Sequence, residues 1–281
     1  MKKIEDYSLY LVISEEYSMG RSATEAAKSA ISGGVDVIQM REKNKSSEGL
    51  LRLGAVLSRM CREKGVTFIV NDDPLLAKEV GADGVHLGQG DMKRCCIGMA
   101  RDIMGGDRMI GVSTHSMEEF SAANDSEADY IAYGPIYFTK TKDYSIGPGD
   151  VTVVAGMAKK PVFFIGGIDR TNIGGMLSRG AKNIALIRGI LEAEDIASRT
   201  SELKEALRKK KEGKAFMIKV NGRNEIVEES MTVSGLIAAR GLSPDRIVLE
   251  HNLRVVPKEE WPRIILNEND SVEILNFMGG G

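Results

Sequence analysis

Three groups of residues have types and spacings suited to phosphate chemistry. In Gln39-Met40-Arg41-Glu42-Lys43 an extended backbone places Gln39, Arg41 and Lys43 on one side. Arginine offers a bidentate fork and lysine a point charge, so together they suit a diphosphate. A second group supplies carboxylates, in Asn71-Asp72-Asp73 and His86-Leu87-Gly88-Gln89-Gly90-Asp91. Asp72 and Asp91 beside a diphosphate suit Mg2+, which takes a few carboxylates together with phosphate oxygens and water. The third group is hydroxyls and glycines: Ser113-Thr114-His115, the stretch from Gly134 to Lys142 with Thr139 and Thr141, Gly166-Gly167 and Ile187-Arg188-Gly189. Backbone N–H groups of this kind suit a phosphate monoester. Two such sets call for two phosphorylated substrates, or one substrate with two ends. No Ser–His or Cys–His arrangement points to a protein nucleophile.

These residues need a frame, and the chain supplies one. Short apolar runs occur at Ser8–Ile13, Val37–Met40, Thr67–Val70, Gly84–Leu87, Met109–Val112, Tyr130–Tyr133, Val162–Ile165 and Asn183–Ile187. Nearly continuous apolarity is expected of parallel strands buried on both faces. Helical segments alternate with them: Thr24–Ser32 with Thr24 as N-cap, Ser47–Lys64, one opening near Pro74, Met92–Met104, Ser116–Ala123, Val151–Ala158, Asn172–Ser178 and Asp195–Lys211. Eight strand–helix units predict a closed (β/α)8 TIM barrel. An open doubly wound sheet is the alternative, but the first βα turn lacks Gly-x-Gly-x-x-Gly. Every residue of the three groups then falls at a C-terminal strand end, where barrel active sites lie. Asp72 and Asp91 also suit N-caps, although Asp73 before Pro74 is the better one. His86 fits either a strand histidine bonded within the barrel or a substrate contact, and His115 fits a helix cap.

At Lys209-Lys210-Lys211-Glu212-Gly213-Lys214 the pattern changes. Phe216–Val220 alternates, Asn221-Gly222 is a hairpin signal, and a second strand runs through Glu229. Thr232–Arg240 reads as a helix ended by Gly241, with further strands at Ile247–Glu250 and Val272–Phe277. The expected domains are 1–212 and 215–281. Of 281 residues, 38 are Lys or Arg and 40 Asp or Glu, a net charge of −2, which excludes a broad grip on nucleic acid or an anionic membrane. Cys61, Cys95 and Cys96 are odd in number and form no Cys-x-x-Cys, against a disulfide framework or structural zinc. The polar start is no signal peptide, and no run reaches the roughly 18 apolar residues of a membrane span, so a cytoplasmic protein is expected.

Gln39-x-Arg41-x-Lys43, Val70-Asn71-Asp72-Asp73, Gly84-Val85-His86-Leu87-Gly88-Gln89-x-Asp91, Gly111-Val112-Ser113 and Gly134-Pro135-Ile136-Tyr137-x-Thr139-x-Thr141-Lys142 resemble the thiamine phosphate synthase family, in order across the first domain. The resemblance implies that Gln39, Arg41, Lys43, Asn71, Ser113 and Lys142 hold hydroxymethylpyrimidine diphosphate and that Asp72 and Asp91 carry Mg2+. It implies that Thr139, Thr141, Gly167, Ile187 and Arg188 hold thiazole phosphate, with Ser113, Lys142, Arg41 and Lys43 serving catalysis. The family often has a small Ser where this chain has Arg188. The second domain, ending Phe277-Met278-Gly279-Gly280-Gly281, resembles the sulfur carrier proteins of thiamine biosynthesis, which have an α+β β-grasp (ubiquitin-like) fold. That implies a thiocarboxylate at the Gly280-Gly281 terminus and two partners, an adenylating enzyme and thiazole synthase. The alternatives are a thiazole tautomerase-like barrel, which would use a His where this chain has Pro135, and a non-catalytic or molybdopterin-type carrier module.

Overall fold

Side chains alternate across a strand, yet Leu9–Ile13 is buried at every position. Leu9, Leu11 and Ile13 pack in the layer under the helices, while Tyr10 and Val12 belong to a separate interior cluster with Tyr7, Ile69, Tyr130 and Phe163. Both faces therefore meet apolar surface, as a closed sheet with an outer helical layer requires. A computed structural model describes residues 4, 7–139, 144–211, 215–228 and 231–276. The chain divides into two units, Met1–Arg208 and Lys209–Gly281.

In the first unit β1 (Leu9–Ile13), β2 (Val37–Met40), β3 (Thr67–Asn71), β4 (Gly84–Leu87), β5 (Met109–Thr114), β6 (Tyr130–Tyr133), β7 (Val162–Ile165) and β8 (Asn183–Leu186) make a closed parallel barrel in chain order. β8 pairs back onto β1 with Tyr10 opposite Ala185. The helices are α1 (Ala23–Ser32), α2 (Ser47–Lys64), α3 (Pro74–Glu79), α4 (Gln89–Met92), α5 (Ile97–Met104), α6 (Met117–Asn124), α7 (Val151–Met157), α8 (Ile173–Ser178), α9 (Arg188–Leu191) and α10 (Ile196–Lys211). Among the described residues no helix is long and apolar enough to cross a membrane.

Local chemistry explains the boundaries, including three that differ from expectation. Thr24 is not the cap of α1. Ser22 is, because Glu25 three residues into the helix completes a capping box with it: Glu25 N donates to Ser22 Oγ at 3.3 Å and Ser22 N to Glu25 Oε2 at 2.9 Å. The expected helix Met92–Met104 is broken, because Cys96 is extended (ψ 168°) and opens α5 as a new helix. His115 does not cap α6. Ser116 does, accepting from Glu119 N at 3.2 Å, while the Glu119 carboxylate accepts from His115 N at 2.7 Å.

The N-terminal rim has a repeated lock. Asp36, Asp83 and Asp129 each precede an even-numbered strand. Asp36 Oδ2 accepts from Leu9 N at 3.0 Å, Asp83 Oδ2 from Phe68 N at 2.8 Å and Asp129 Oδ2 from Ile110 N at 2.7 Å. Each carboxylate thus satisfies a backbone N–H at the start of the strand before it. Lys204 of α10 pairs with Asp36, and Arg101 of α5 with Asp129 at 2.7 Å.

The second unit is a five-stranded sheet in the order β10-β9-β13-β11-β12, built from β9 (Ala215–Val220), β10 (Arg223–Glu228), β11 (Ile247–His251), β12 (Arg254–Val255) and β13 (Ser271–Asn276). β9 and β13 run parallel, and the other pairs are antiparallel. Asn221 (φ 48°) and Gly222 (φ 74°) make the tight turn between β9 and β10. α11 (Val233–Ala239) starts where Thr232 Oγ1 accepts from Gly235 N at 3.0 Å, and Leu236 and Ile237 pack with Ile218, Leu249, Val272 and Trp261. Trp261 is buried and its Nε1 donates to Val256 O at 2.9 Å. The short β12 was absent from the sequence expectation. Glu229 and Phe277, expected strand ends, lie outside the described residues.

Candidate active site

A cavity of about 800 Å3 opens at the C-terminal ends of the barrel strands. Gln39 is the penultimate residue of β2, Arg41 and Lys43 follow that strand, Asn71 ends β3, and Asp72 comes next. All five line the cavity, as do Asp91 in α4 and Ser113 on β5. The opposite wall holds Thr139, Gly167, Ile187 and Arg188. Every described residue of the three sequence groups proposed as a ligand is therefore brought to one place. Thr141 and Lys142, and the Gly280-Gly281 terminus, lie outside the described residues.

Asp72 and Asp91 converge on Gly88. Asp72 has φ 67°, a left-handed backbone that Asp tolerates better than most residues. Its N donates to His86 O at 2.8 Å, and this anchors it to β4. A Cβ added to Gly88 would lie 2.9 Å from Asp91 Oδ2 and 3.8 Å from Asp72 Oδ1, so the glycine leaves room for both carboxylates. Burial, and then the facing Asp91, push the Asp72 carboxyl up to about 6. The repulsion between two facing carboxylates favours a proton or a cation beside them. Arg94 holds the outer oxygen of Asp91. Among the described residues no three His, Cys, Asp or Glu side chains are grouped so as to hold a metal, so a cation at this carboxylate pair would need further ligands from outside these side-chain types.

The floor of the cavity is aromatic and hydrogen-bonded. Tyr10 and Phe163 line it and Tyr130 packs behind them, each tyrosine edge to face with Phe163, with centroids 5.2 Å apart for Tyr10–Phe163 and 5.6 Å for Tyr130–Phe163. Gln39 Nε2 donates to Tyr10 Oη at 2.9 Å, and Ser113 Oγ sits 2.9 Å from His86 Nε2. Burial holds the His86 ring down at about 4, so it is neutral at physiological pH. His86 is thus bonded within the barrel and also lines the cavity. Gln89 Nε2 donates to Ser113 O at 2.6 Å and fixes the end of β5. Sequence reasoning left Gln89 without a role and missed Tyr10 and Tyr130. Their signal was the alternation inside two runs read simply as apolar.

On the opposite wall Gly166 (φ 100°) and Gly167 (φ 64°) have backbones that side chains rarely adopt. A Cβ on Gly167 would meet Tyr137 Cβ at 2.7 Å. Tyr137 N donates to Gly166 O at 3.0 Å, so the loop after β6, which carries Thr139, is zipped to the loop after β7. Arg188 opens α9. Its Nε meets Glu192 Oε1 at 2.6 Å and its guanidinium carbon lies 5.9 Å from the Tyr17 ring centre. Tyr17 was also missed, and nothing in its local sequence marks it.

Residues 9–190 match the thiamine monophosphate synthase family, and residues 218–281 match the ThiS family. The chain is 37% identical over 201 residues to a thiamine-phosphate synthase of Persephonella marina, a match spanning 71% of this chain and 95% of that protein. It belongs to the thiamine-phosphate synthase family. A second family member, from Pelotomaculum thermopropionicum, is 40% identical over 207 residues, covering 73% of this chain and 94% of its own length. Thiamine phosphate pyrophosphorylase from Pyrococcus furiosus superposes with a TM-score of 0.66 at 32% identity, over 73% of this chain and 96% of that one. The barrel is accordingly that of a transferase, and a cavity lined by cations, hydroxyls and glycines suits its phosphorylated substrates. The C-terminal unit is a ThiS-type module.

Proposed function

We propose that the barrel joins hydroxymethylpyrimidine diphosphate to thiazole phosphate, releasing diphosphate and forming thiamine phosphate. The observation that carries this is the meeting of both phosphate-binding sets in one cavity, with the carboxylate pair beside the cationic wall. Arg41 and Lys43 bind the diphosphate and neutralise the charge that grows on it as it leaves the pyrimidine methylene. Lys142 belongs with them by family resemblance. Gln39, Asn71 and Ser113 orient the pyrimidine. Its amino group spreads the positive charge left on the methylene, and the thiazole nitrogen attacks that carbon. Thr139, Thr141 and the backbone at Gly167, Ile187 and Arg188 hold the thiazole phosphate, so the two reactants face each other without a protein nucleophile.

Mg2+ fits Asp72 and Asp91. The pair is acidic and oxygen-only, a cation would relieve the repulsion between its two negative charges, and Gly88 leaves the space between them clear. When bound, the ion supplies charge neutralisation on the diphosphate. Formation of thiamine phosphate from the two halves, with no product from thiazole phosphate alone, tests this reading. Conversion of the thiazole alone would instead establish the tautomerase alternative, against which Pro135 stands.

For the second unit the ThiS match supports a sulfur carrier. An adenylating partner activates the Gly281 carboxylate with ATP, and a sulfur donor displaces AMP to leave a thiocarboxylate for thiazole synthase. Intact mass after incubation with ATP, a sulfur source and that partner reads the exchange of oxygen for sulfur. Thiazole formation that survives removal of Gly280 and Gly281 would leave only a non-catalytic module.

A further inference from the structure

We propose that a buried hydrogen-bond chain from Gln39 through Tyr10, Tyr130 and His86 to Ser113 fixes which end of the pyrimidine site accepts and which donates, and that Tyr130, which never touches substrate, thereby selects an aminopyrimidine over its oxo analogue. The proposal rests on the reading of this cavity as the pyrimidine diphosphate site.

The chain has four links. Gln39 Nε2 donates to Tyr10 Oη at 2.9 Å, Tyr10 Oη lies 3.0 Å from Tyr130 Oη, Tyr130 Oη lies 3.2 Å from His86 Nδ1, and His86 Nε2 lies 2.9 Å from Ser113 Oγ. Tyr10, Gln39, Tyr130 and His86 are 3%, 3%, 1% and 6% exposed, so bulk water does not compete for these groups. Gln39, Tyr10, His86 and Ser113 line the cavity, whereas Tyr130 lies behind it. Gly111 makes that placement possible, since a Cβ there would fall 2.0 Å from Tyr130 Cζ.

Counting protons gives the chain one direction. Each phenol carries one hydrogen, and burial raises both hydroxyls far above the physiological range. Tyr10 accepts from Gln39, and Tyr130 Oη is the other hydrogen-bond partner of its hydroxyl, so the assignment that uses the Tyr10 hydrogen sends it to Tyr130. The Tyr130 hydrogen then goes to His86 Nδ1. A neutral imidazole that accepts at Nδ1 carries its proton on Nε2 and donates it to Ser113 Oγ. The Ser113 hydrogen is left for the cavity. At the other end Gln39 has spent its amide N–H inward and presents Oε1. The site therefore offers an acceptor at Gln39 and a donor at Ser113. An exocyclic amino group satisfies the acceptor, while an oxo group in its place sets oxygen against oxygen.

Tyr130→Phe keeps the ring and removes the middle link. Tyr10 is then free to donate back to a rotated Gln39 amide, which would present Nε2 to the ligand, and His86 is free to change tautomer. In the full chain the aminopyrimidine diphosphate is the substrate, and its oxo analogue is measured as a competitive inhibitor. The wild type is expected to prefer the amino form strongly, because a mismatched buried polar group discriminates by about 10⁴-fold. Tyr130→Phe is expected to shrink that preference by roughly 10- to 100-fold, through weaker amino and stronger oxo binding, with the KM for thiazole phosphate unchanged. Tyr10→Phe, which cuts the adjacent link, is expected to do the same and serves if Tyr130→Phe does not fold. Equal loss of both affinities, with the preference kept, would reduce Tyr130 to a packing role and overturn the proposal. A wild type that binds neither pyrimidine diphosphate would instead overturn the functional reading beneath it.

Discussion

Aspartates guard both rims of the barrel, with different partners. At the N-terminal rim Asp36, Asp83 and Asp129 each find a backbone N–H, and two of them also find a cation. At the C-terminal rim Asp91 finds Arg94 and is held below its usual range, whereas Asp72 faces Asp91. Burial alone would raise the Asp36 carboxyl, but Lys204 and the N–H groups of Leu9 and Ser8 outweigh it and hold the carboxyl below its usual range. Asp72 lacks enough donors, and its carboxyl rises to about 6. The same side chain is mortar where the fold supplies donors and, on the reading proposed above, a binding group where the fold withholds them.

Exchanging charge for amide at each rim should separate the two roles. Replacing both Asp72 and Asp91 by Asn should lower kcat/KM by about 10²- to 10³-fold, the cost of losing charge stabilisation at a leaving group, while thermal stability stays level or rises as mutual repulsion disappears. A double variant that keeps wild-type turnover with and without chelator would remove the metal from this site. Asp36→Ala should do the reverse. It strands Lys204 and two backbone donors, so urea unfolding should show a loss of about 3–5 kcal/mol, with kcat unchanged at temperatures where the variant is folded. Ligand addition gives a smaller effect. Mg2+ with diphosphate should stabilise the wild type by about 2.7 kcal/mol at a hundredfold excess over Kd, and should not shift the melting temperature of the double Asn variant.

Acid should read the N-terminal rim. A carboxyl whose folded-state pKa is depressed adds stability above its unfolded value, near 3.9, and loses it as pH falls through the lower folded value. The Asp36 contribution should therefore be complete at neutral pH, begin to fall below about pH 4 and be gone only below the lower folded value. Asp36→Asn should melt lower than wild type at pH 7, with the gap closing on acidification. A gap of constant size would mean that Lys204 and the backbone donors do not depress this carboxyl.

Much of the site was legible because barrel geometry converts sequence order into place. Once the eight runs are strands, Gln39, Asp72, Ser113 and Gly167 must share a rim. The floor was not legible, because Tyr10 and Tyr130 sit in runs where every residue is buried and only the phase of the alternation tells interior from outer layer. The N-terminal lock was present as an aspartate before three even-numbered strands, a repeat whose meaning depends on knowing which strand lies alongside. The break after Met92 was hidden because Cys95 and Cys96 continue an apolar helical pattern that the extended backbone of Cys96 interrupts. In the second unit β12 is only two residues long and follows Asn252 and Leu253, both at positive φ, so no period announces it.

Arg188 gives the smallest and most discriminating test, because it stands at the functional rim but is bonded like a structural residue. Its Nε is engaged by Glu192 and its guanidinium lies against Tyr17. A side chain already paired offers phosphate less than a free one, and the backbone at this position needs no particular side chain. Arg188→Ser should therefore change stability by under about 1 kcal/mol, the range of a partly exposed ion pair. It should leave kcat intact and raise the KM for thiazole phosphate by less than about tenfold, one charge-assisted contact being the most it could remove. A larger rise, confined to thiazole phosphate and absent for the pyrimidine diphosphate, would show that Arg188 abandons Glu192 for the ligand. In that case the contrast between the rims would be one of exchangeable partners rather than missing ones.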